Sequence, residues 1–218
     1  MRQIIAAILA KDIQEFEDKL AILSVFADNI QLDIADGDFV DNKTVELASI
    51  KNLPQGKKYE AHLMTTDPLD YLVHCKRLGI EKVIIHDEIE KDTGQVLDKI
   101  KESGLKVFLG LNQETAIGKI APHVDRIDGV LLMAVPTGFD GQEFAPQTIE
   151  KIKALRELYP DLIIEIDGGV NLNNIEGIFS AGTNIVAVGS GILKAENPKE
   201  IWEKLQFLTQ DKQTQNVN

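Results

Sequence analysis

Asp33, Asp36 and Asp38 lie within six positions at the end of an apolar, strand-like stretch, in the segment NIQLDIADGDFVDN (residues 29–42). Like charges repel, and burial of a carboxylate costs free energy, so acidic groups at the end of a buried strand indicate binding or catalysis. Asp36 precedes Gly37 and is expected to set a turn, whereas Asp38 is expected to be solvated. Asp33, which lies inside the apolar stretch, is therefore the candidate for chemistry.

Further titratable residues close three other strand-like segments. They are His62 in HLMTTDP, His86 in IIHDE and Asp167 in IEIDGGV. Residues at i and i+2 of a strand point to the same side, so an outward Leu32 and Ile34 would turn Gln31 and Asp33 inward. We predict that the side chains of Asp33, His62 and Asp167 converge at one rim of the fold.

This convergence depends on an alternation of strands and helices along the chain. Short β-branched runs alternate with stretches in which apolar residues recur at i, i+3 and i+4, which indicates βαβ units. The predicted strands are residues 2–9, 29–36, 59–65, 82–88, 106–112, 129–135, 162–168 and 185–191. The predicted helices include residues 12–23, 67–79, 93–104 and 146–158. Eight strands, each followed by a helix, predict an α/β fold with a single (β/α)8 TIM barrel, whose active site lies at the C-terminal ends of the strands.

The bulk composition fits one such domain. The chain has 218 residues, of which 44% are hydrophobic, enough to bury one sizeable core. We assign residues 1–208 to the barrel. Residues 209–218, TQDKQTQNVN, are polar and lack periodicity, and we predict a frayed C-terminal tail there.

The charge of the chain limits its partners. A formal net charge of −12 and a pI near 4.8 argue against nucleic acid and against an acidic membrane surface, because both need a basic surface. Cys75 is the only cysteine, so no intramolecular disulfide can form. The apolar N-terminal run stops at Lys11 and Asp12, too early for a signal peptide or a membrane span. We expect a cytoplasmic protein, and the sequence does not determine whether it forms a homo-oligomer.

Glycine pairs follow the last two predicted strands. They lie in DGGV (residues 167–170) and VGSGI (residues 188–192), where (β/α)8 barrels often hold a phosphate on backbone N–H groups. The candidate phosphate-binding residues are Gly168, Gly169, Gly189 and Ser190. An anionic small molecule is the ligand that this pattern favours.

A third glycine-containing loop, PTGFDGQEF (residues 136–144), follows the sixth predicted strand. It is expected to fold over the site as a lid, with Gly138 and Gly141 as candidate ligand-binding residues. Asp140 in the same loop is expected to repel a nearby phosphate.

The sequence resembles the ribulose-phosphate 3-epimerase family over nearly its whole length. The similarity is carried by LDIADGDFVDN (32–42), HLMTTDPLDYL (62–72), HDE (86–88), LGLNQET (109–115), LLMAVPTGFDGQEF (131–144), EIDGGVN (165–171) and VAVGSGI (186–192), with matching spacing. The resemblance implies a barrel of the ribulose-phosphate-binding type. It further implies an isomerase of the pentose phosphate pathway that interconverts D-ribulose 5-phosphate and D-xylulose 5-phosphate by metal-assisted epimerisation at C3.

The resemblance also implies one divalent metal, Mg, Mn, Fe or Zn. Family members hold it with a strand 2 histidine, the aspartate two residues on, a strand 3 histidine and a strand 7 aspartate. Asp33, His62 and Asp167 match three of these ligands, and Gln31 replaces the first histidine. A neutral amide oxygen suits Mg²⁺ or Mn²⁺ better than Zn²⁺, so we expect Gln31 to be a weak or absent ligand and the metal to be weakly bound or absent.

Other matches and departures also fall at the site. The candidate substrate-pocket residues are Met64, Met133 and His86, of which His86 belongs to the family's His-x-Glu pattern. The remaining departures from the family pattern are Ala7, Ala10, Ala35, Pro136, Thr137 and Asp140. They change the site rather than the scaffold.

The retained aspartates can perform the implied chemistry. Epimerisation next to a ketone needs a base on one face of the carbon and an acid on the other. Asp33 and Asp167 are the candidate catalytic pair, because they lie on strands far apart in the barrel order. A metal between them would polarise the carbonyl and offset their mutual repulsion.

Two other functions stay open at this point. One is a phosphosugar-binding barrel without turnover, which the lost histidine favours. The other is a related barrel enzyme that acts on another sugar phosphate, either by epimerising a ketose phosphate such as a hexulose 6-phosphate or by aldol or decarboxylation chemistry. Decarboxylase-type relatives carry an Asp-x-Lys-x-x-Asp run, and Ala35 stands where that lysine belongs, which disfavours this branch. The sequence separates neither pentose from hexose phosphate nor one metal from another.

Overall fold

The computed structural model describes residues 2–209 and shows a closed barrel of eight parallel strands. The strands are β1 Gln3–Leu9, β2 Asn29–Ala35, β3 Lys58–Met64, β4 Lys82–His86, β5 Lys106–Leu111, β6 Gly129–Met133, β7 Ile164–Asp167 and β8 Ile185–Val188. Consecutive strands pair in parallel, and β8 pairs with β1 to close the barrel. The predicted (β/α)8 architecture is confirmed.

The helices begin and end at the signals that the sequence carries. They are α1 Ile13–Leu23, α2 Leu72–Leu78, α3 Thr93–Glu102, α4 Thr148–Leu158, α5 Ile175–Ser180, α6 Ser190–Leu193 and α7 Pro198–Thr209. Asp12 caps α1 and Asp92 caps α3, each by accepting a backbone N–H with its side chain. Gly79 ends α2 in the left-handed conformation, with φ of 71°.

The prediction that every strand is followed by a helix was wrong after β2 and after β5. Residues 36–57, between β2 and β3, form turns and irregular structure, packed onto the barrel by buried Leu47 and Ile50. After β5 the chain makes only two short 3₁₀ turns, Ile117–Ile120 and Val124–Arg126. Asp, Asn, Pro and Gly residues interrupt the helical pattern in both segments.

The apolar core has two layers. Outward-facing strand residues, among them Leu32 and Ile34, pack with the helices in the larger layer. The smaller layer fills the inside of the barrel and consists of Ile5, Ile84, Phe108, Leu131, Met133, Val135 and Ile185. The inner layer separates two groups of buried polar side chains, one toward each end of the strands.

The group toward the N-terminal ends of the strands is an ion cluster. The Lys82 Nζ lies 2.5 Å from Glu60 Oε2 and 2.6 Å from Glu165 Oε2. It also lies 4.0 Å from the centroid of the Phe108 ring. Burial and the nearby Glu165 carboxylate raise the pKa of Glu60 well above its usual value, against the effect of Lys82. The sequence reasoning did not identify this cluster.

The C-terminal end of the chain departs slightly from the predicted boundary. Helix α7 includes Thr209, the first residue of the predicted tail, and the predicted frayed segment 210–218 lies outside the described residues. Within residues 2–209, no helix combines the length and apolar character needed to cross a membrane.

Candidate active site

Three titratable side chains converge at the C-terminal ends of the strands, as the sequence predicts. Asp33, His62 and Asp167 each offer one potential ligand atom, and these atoms all lie within 4.8 Å of one another. Asp33 and His62 are register partners on β2 and β3. Asp167 ends β7, which β8 and β1 separate from β2. The two carboxylates therefore reach the same point from different sides of the barrel.

His62 lies against both carboxylates. Its Nδ1 is 3.0 Å from Asp33 Oδ1 and 3.4 Å from Asp167 Oδ2. Burial alone would lower the pKa of His62, but the hydrogen bonds to Asp167 and Asp33 outweigh it and raise the pKa to about 10. Burial raises the pKa of Asp33 to about 6, although the hydrogen bond from His62 opposes the shift. An imidazolium therefore balances part of the negative charge of the pair.

Gln31 lies inward on β2 and contacts the same two carboxylates. Its amide nitrogen donates to Asp33 Oδ1 at 2.9 Å and to Asp167 Oδ2 at 2.7 Å. The side chain is fully buried, and its Oε1 has no hydrogen-bond partner. The residue that stands in place of a metal-binding histidine thus presents N–H groups, rather than its oxygen, to the aspartates.

A second row of polar residues contacts His62 at Nε2, the ring nitrogen that does not face the aspartates. The His62 Nε2 is 2.8 Å from His86 Nε2, and the His86 Nδ1 is 3.3 Å from Glu88 Oε2. Burial lowers the pKa of His86, so a neutral His86 accepts from His62 and donates its Nδ1–H to Glu88. The Glu88 Oε1 accepts hydrogen bonds from the Asn112 N–H and the Thr115 hydroxyl.

This arrangement changes the interpretation of His86. The residue was predicted to line the substrate pocket, but it is fully buried behind His62 and is not part of the cavity wall. His86 lies two residues beyond Ile84, the register partner of His62 on β4, and its ring stacks against that of His62. The His-x-Glu spacing in HDE is the signal for this second row.

An open cavity lies against the two aspartates and His62. Met64 and Met133 line it, together with the predicted phosphate and lid residues Gly138, Gly141, Gly168, Gly169, Gly189 and Ser190. The structure therefore brings these candidates together around one space, and their roles in binding stay predictions.

The turn after β7 requires glycine for steric reasons. Gly168 and Gly169 have φ of 108° and 67°, which other residues rarely adopt. A Cβ added to Gly169 would lie 2.3 Å from the backbone nitrogen of Phe144, and one added to Gly168 would lie 2.4 Å from the Val135 side chain. Backbone rather than side chains therefore forms this part of the cavity wall.

The loop of residues 136–144 lines the same cavity with residues 138–142, and its role as a lid stays a prediction. Asn42 donates to the Gly138 carbonyl at 2.5 Å and thereby ties this loop to the segment after β2. Asp140 was expected to repel a phosphate, but its Oδ2 lies 3.5 Å from the Lys194 Nζ. The pairing with Lys194, next to α6, reduces that repulsion, and the sequence reasoning did not foresee it.

The other two acids of the opening segment have structural surroundings. Asp36 Oδ1 accepts the N–H groups of Asp38 and Phe39 at 2.9 and 2.8 Å, and its Oδ2 accepts the N–H of Thr66 at 2.7 Å. Asp38 is exposed. The predictions that Asp36 sets a turn and that Asp38 is solvated are confirmed.

The converged residues fit a divalent cation. Two carboxylate oxygens and one imidazole nitrogen, all within 4.8 Å of one another, form a donor set that such ions accept once His62 has released its proton. Asp33, His62 and Asp167 could therefore hold a metal. Gln31 fits this purpose less well, because its N–H groups face the carboxylates.

Comparison with known proteins gives one family. The family model described as "Ribulose-phosphate 3 epimerase family" matches residues 3–193. The ribulose-phosphate 3-epimerase, cytoplasmic isoform, of Oryza sativa subsp. japonica is 36% identical over 181 residues, which cover 80% of this chain and 79% of that protein. The ribulose-phosphate 3-epimerase of Schizosaccharomyces pombe is 28% identical over 205 residues, covering 91% and 90%.

Solved structures share the fold at much lower identity. The 3-hexulose-6-phosphate synthase from Salmonella typhimurium superposes with a TM-score of 0.72 at 15% identity, covering 95% of this chain and 98% of that one. At this identity the likeness concerns the barrel alone.

Proposed function

Because the chain belongs to the ribulose-phosphate 3-epimerase family, we propose that it interconverts D-ribulose 5-phosphate and D-xylulose 5-phosphate. The observation that carries this proposal is the pair of aspartates, Asp33 and Asp167, which meet at one cavity from different sides of the barrel. The rice relative is named a cytoplasmic isoform, and we propose the same compartment for this chain.

The two carboxylates supply the proton transfers. One removes the proton from C3 of the ketose, and the other delivers a proton to the opposite face, so that the configuration at C3 is inverted. Their assignment as base and acid reverses with the direction of the reaction. In the absence of a bound cation, burial raises the pKa of Asp33 to about 6.

A divalent cation held by Asp33, His62 and Asp167 would stabilise the negative charge that develops on the substrate carbonyl oxygen. We propose Mg²⁺ or Mn²⁺ rather than Zn²⁺ for this chain, because Gln31 removes one nitrogen ligand. His86 and Glu88 act as positioning residues, since they fix the His62 ring through its Nε2.

The phosphate of the substrate is proposed to bind at the two glycine turns. Gly168, Gly169, Gly189 and Ser190 all line the cavity, and backbone N–H groups at such glycine turns are suited to bind an anion. The glycine turns and the two aspartates line the same cavity, as binding of a small sugar phosphate requires.

A barrel that binds a phosphosugar without turnover is the alternative function. The replacement of a metal-binding histidine by Gln31, whose N–H groups face the aspartates, favours it. The retained pair of Asp33 and Asp167 opposes it, because simple phosphate binding has no need for two neighbouring, mutually repelling carboxylates.

A coupled assay tests the proposed function. Purified protein should convert D-ribulose 5-phosphate to D-xylulose 5-phosphate, and the rate should rise on addition of Mg²⁺ or Mn²⁺ after chelator treatment. In D₂O the product should carry deuterium at C3, because the abstracted proton is replaced from solvent. Binding of the ketose phosphate without conversion or deuterium incorporation would favour the non-catalytic alternative. Turnover of a hexulose 6-phosphate, but not of D-ribulose 5-phosphate, would show that the substrate is a hexulose phosphate.

The glycine turns give a prediction for phosphate binding. Ser190→Asp should raise KM for the ketose phosphate at least about tenfold, because a carboxylate would face the phosphate at close range. Ser190→Ala should change KM much less, since the backbone N–H groups remain. Steady-state kinetics of both variants, with inhibition by inorganic phosphate as a second measure, checks this. Equal KM values for the two variants would place the phosphate elsewhere.

A further inference from the structure

The Gln31 side chain occupies an unusual place between the two aspartates. Its single amide nitrogen donates to both carboxylates, and the acceptor atoms, Asp33 Oδ1 and Asp167 Oδ2, are the same oxygens that face His62 Nδ1. The proposed metal site is built from these three atoms or their immediate neighbours. The amide nitrogen therefore competes for the oxygens that a cation would need.

The surroundings of the amide fix its orientation. The reverse orientation would place Oε1 at 2.7 and 2.9 Å from two anionic oxygens, where it would be repelled. In the observed orientation the buried Oε1 has no hydrogen-bond partner. After reversal the NH₂ group would lie at that position, and Oε1 would face the two carboxylates. Reversal would thus replace two charge-assisted hydrogen bonds with one contact between Oε1 and a bound cation.

We propose that the Gln31 amide bridges Asp33 and Asp167 when the site holds no cation, and that a divalent cation must displace this bridge. In this chain Gln31 therefore weakens metal binding by competition, rather than serving as a poor fourth ligand. The bridge also keeps the two carboxylates at a fixed separation in the absence of metal. This inference rests on the proposed metal site, but not on epimerase turnover.

The proposal is tested by whether Gln31→Ala raises or lowers the affinity for Mn²⁺. Metal-free protein is prepared with a chelator, and Mn²⁺ and Zn²⁺ are titrated by calorimetry into wild type and Gln31→Ala. A competing bridge predicts that Gln31→Ala binds Mn²⁺ at least about tenfold more tightly, because two hydrogen bonds to charged groups no longer have to be broken. An unchanged or weaker affinity would overturn the proposal, and a weaker one would show that Gln31 is a ligand.

Two control variants separate this inference from its premise. Gln142 is another amide of the same cavity, but it donates to the carbonyls of Pro136 and Phe139, so Gln142→Ala should leave the Mn²⁺ affinity unchanged. Asp167→Asn should abolish Mn²⁺ binding. If Asp167→Asn bound Mn²⁺ like wild type, the metal site of the proposed function would be wrong, and the inference would fall with it.

A measurement on the unmodified chain covers the case in which Gln31→Ala folds poorly. In ¹⁵N-labelled metal-free protein, the side-chain NH₂ hydrogens of Gln31 should exchange slowly with solvent, because the amide is fully buried and donates to both carboxylates. Addition of Zn²⁺ should shift this signal and speed its exchange. A signal that exchanges rapidly without metal, or that Zn²⁺ leaves in place while it binds, would contradict the bridge.

Discussion

Asp33→Asn and Asp167→Asn are each expected to lower kcat for epimerisation about 10³-fold or more, because one of the two proton transfers loses its acid or base. An amide has nearly the shape of the carboxylate but neither takes up nor releases a proton near neutral pH. Binding of inorganic phosphate at the glycine turns should be largely unchanged in both variants. The coupled assay gives kcat, and inhibition by phosphate gives the binding.

Deuterium exchange assigns a face to each aspartate. If each carboxylate serves one face of C3, a variant that lacks one of them should still exchange the C3 hydrogen of one epimer with D₂O, but should not convert it to the other epimer. The two variants should exchange opposite epimers. Bound metal has to be measured alongside, because both aspartates are also proposed ligands.

A remote carboxylate serves as the control for this experiment. Glu157 is exposed on α4, so Glu157→Gln makes the same chemical change away from the cavity and should leave kcat within about twofold. Loss of activity limited to tenfold in Asp33→Asn and Asp167→Asn, or exchange of both epimers by one variant, would show that the pair does not act as the acid and base.

The sequence was sufficient to place the catalytic rim. Alternation along β2 predicted an inward side chain for Asp33 once Leu32 and Ile34 were assigned outward. The packing of Leu32 and Ile34 against the helices confirms this. His62 and Asp167 followed from the rule that parallel strands end at one rim. Local periodicity and the barrel topology are enough for such residues.

The hydrogen bonds of Gln31 could not be predicted from the sequence. The prediction treated this residue as a ligand replacement, because the comparison with the family pattern concerns positions and not orientations. Its decisive hydrogen bond joins residues 136 positions apart, Gln31 and Asp167, and its direction depends on the exact separation of two carboxylates. Pattern and spacing contain no information about that separation.

The sequence contains a pattern that indicates the ion cluster toward the N-terminal ends of the strands. Glu60 lies two residues before His62, and Glu165 lies two residues before Asp167, so the period of two places both inside the barrel. Lys82 faces inward from the start of β4 for the same reason. The sequence could not show that these three charges meet, since their pairing depends on the relative stagger of β3, β4 and β7.

The absence of a helix after β2 was also unpredictable from periodicity alone. Residues 44–53 carry apolar residues at spacings that a short helix would share, yet they pack on the barrel as irregular structure. Thr44 explains part of this: its hydroxyl donates to the Asp33 carbonyl and accepts the Ala35 N–H, which fixes the chain beside the end of β2. A tertiary contact of this kind overrides local propensity.

Lys82→Met is expected to lower the free energy of unfolding by about 3–5 kcal/mol at pH 8, because it leaves two buried carboxylates without their cation. In the native protein Lys82 lies within 2.6 Å of both Glu60 and Glu165, and Glu165 is fully buried. Methionine keeps most of the apolar stem, so the loss of packing is small. Urea unfolding followed by circular dichroism measures the change.

The pH dependence of this loss identifies its cause. Burial and Glu165 already raise the pKa of Glu60 in the folded protein, so folding takes up protons, and stability from this group falls as pH rises above its unfolded pKa. Lys82 opposes the raised pKa of Glu60, so without Lys82 that pKa should rise further, and the destabilisation should be smaller at pH 5.5 than at pH 8. Glu60→Gln removes one of the two negative charges that Lys82 balances, so it should partly rescue Lys82→Met at pH 8. Lys106, the exposed register partner of Lys82 on β5, provides the control, and Lys106→Met should change stability by less than about 0.5 kcal/mol. An equal loss for Lys82→Met at both pH values, or no rescue by Glu60→Gln, would attribute the effect to packing rather than to buried charge.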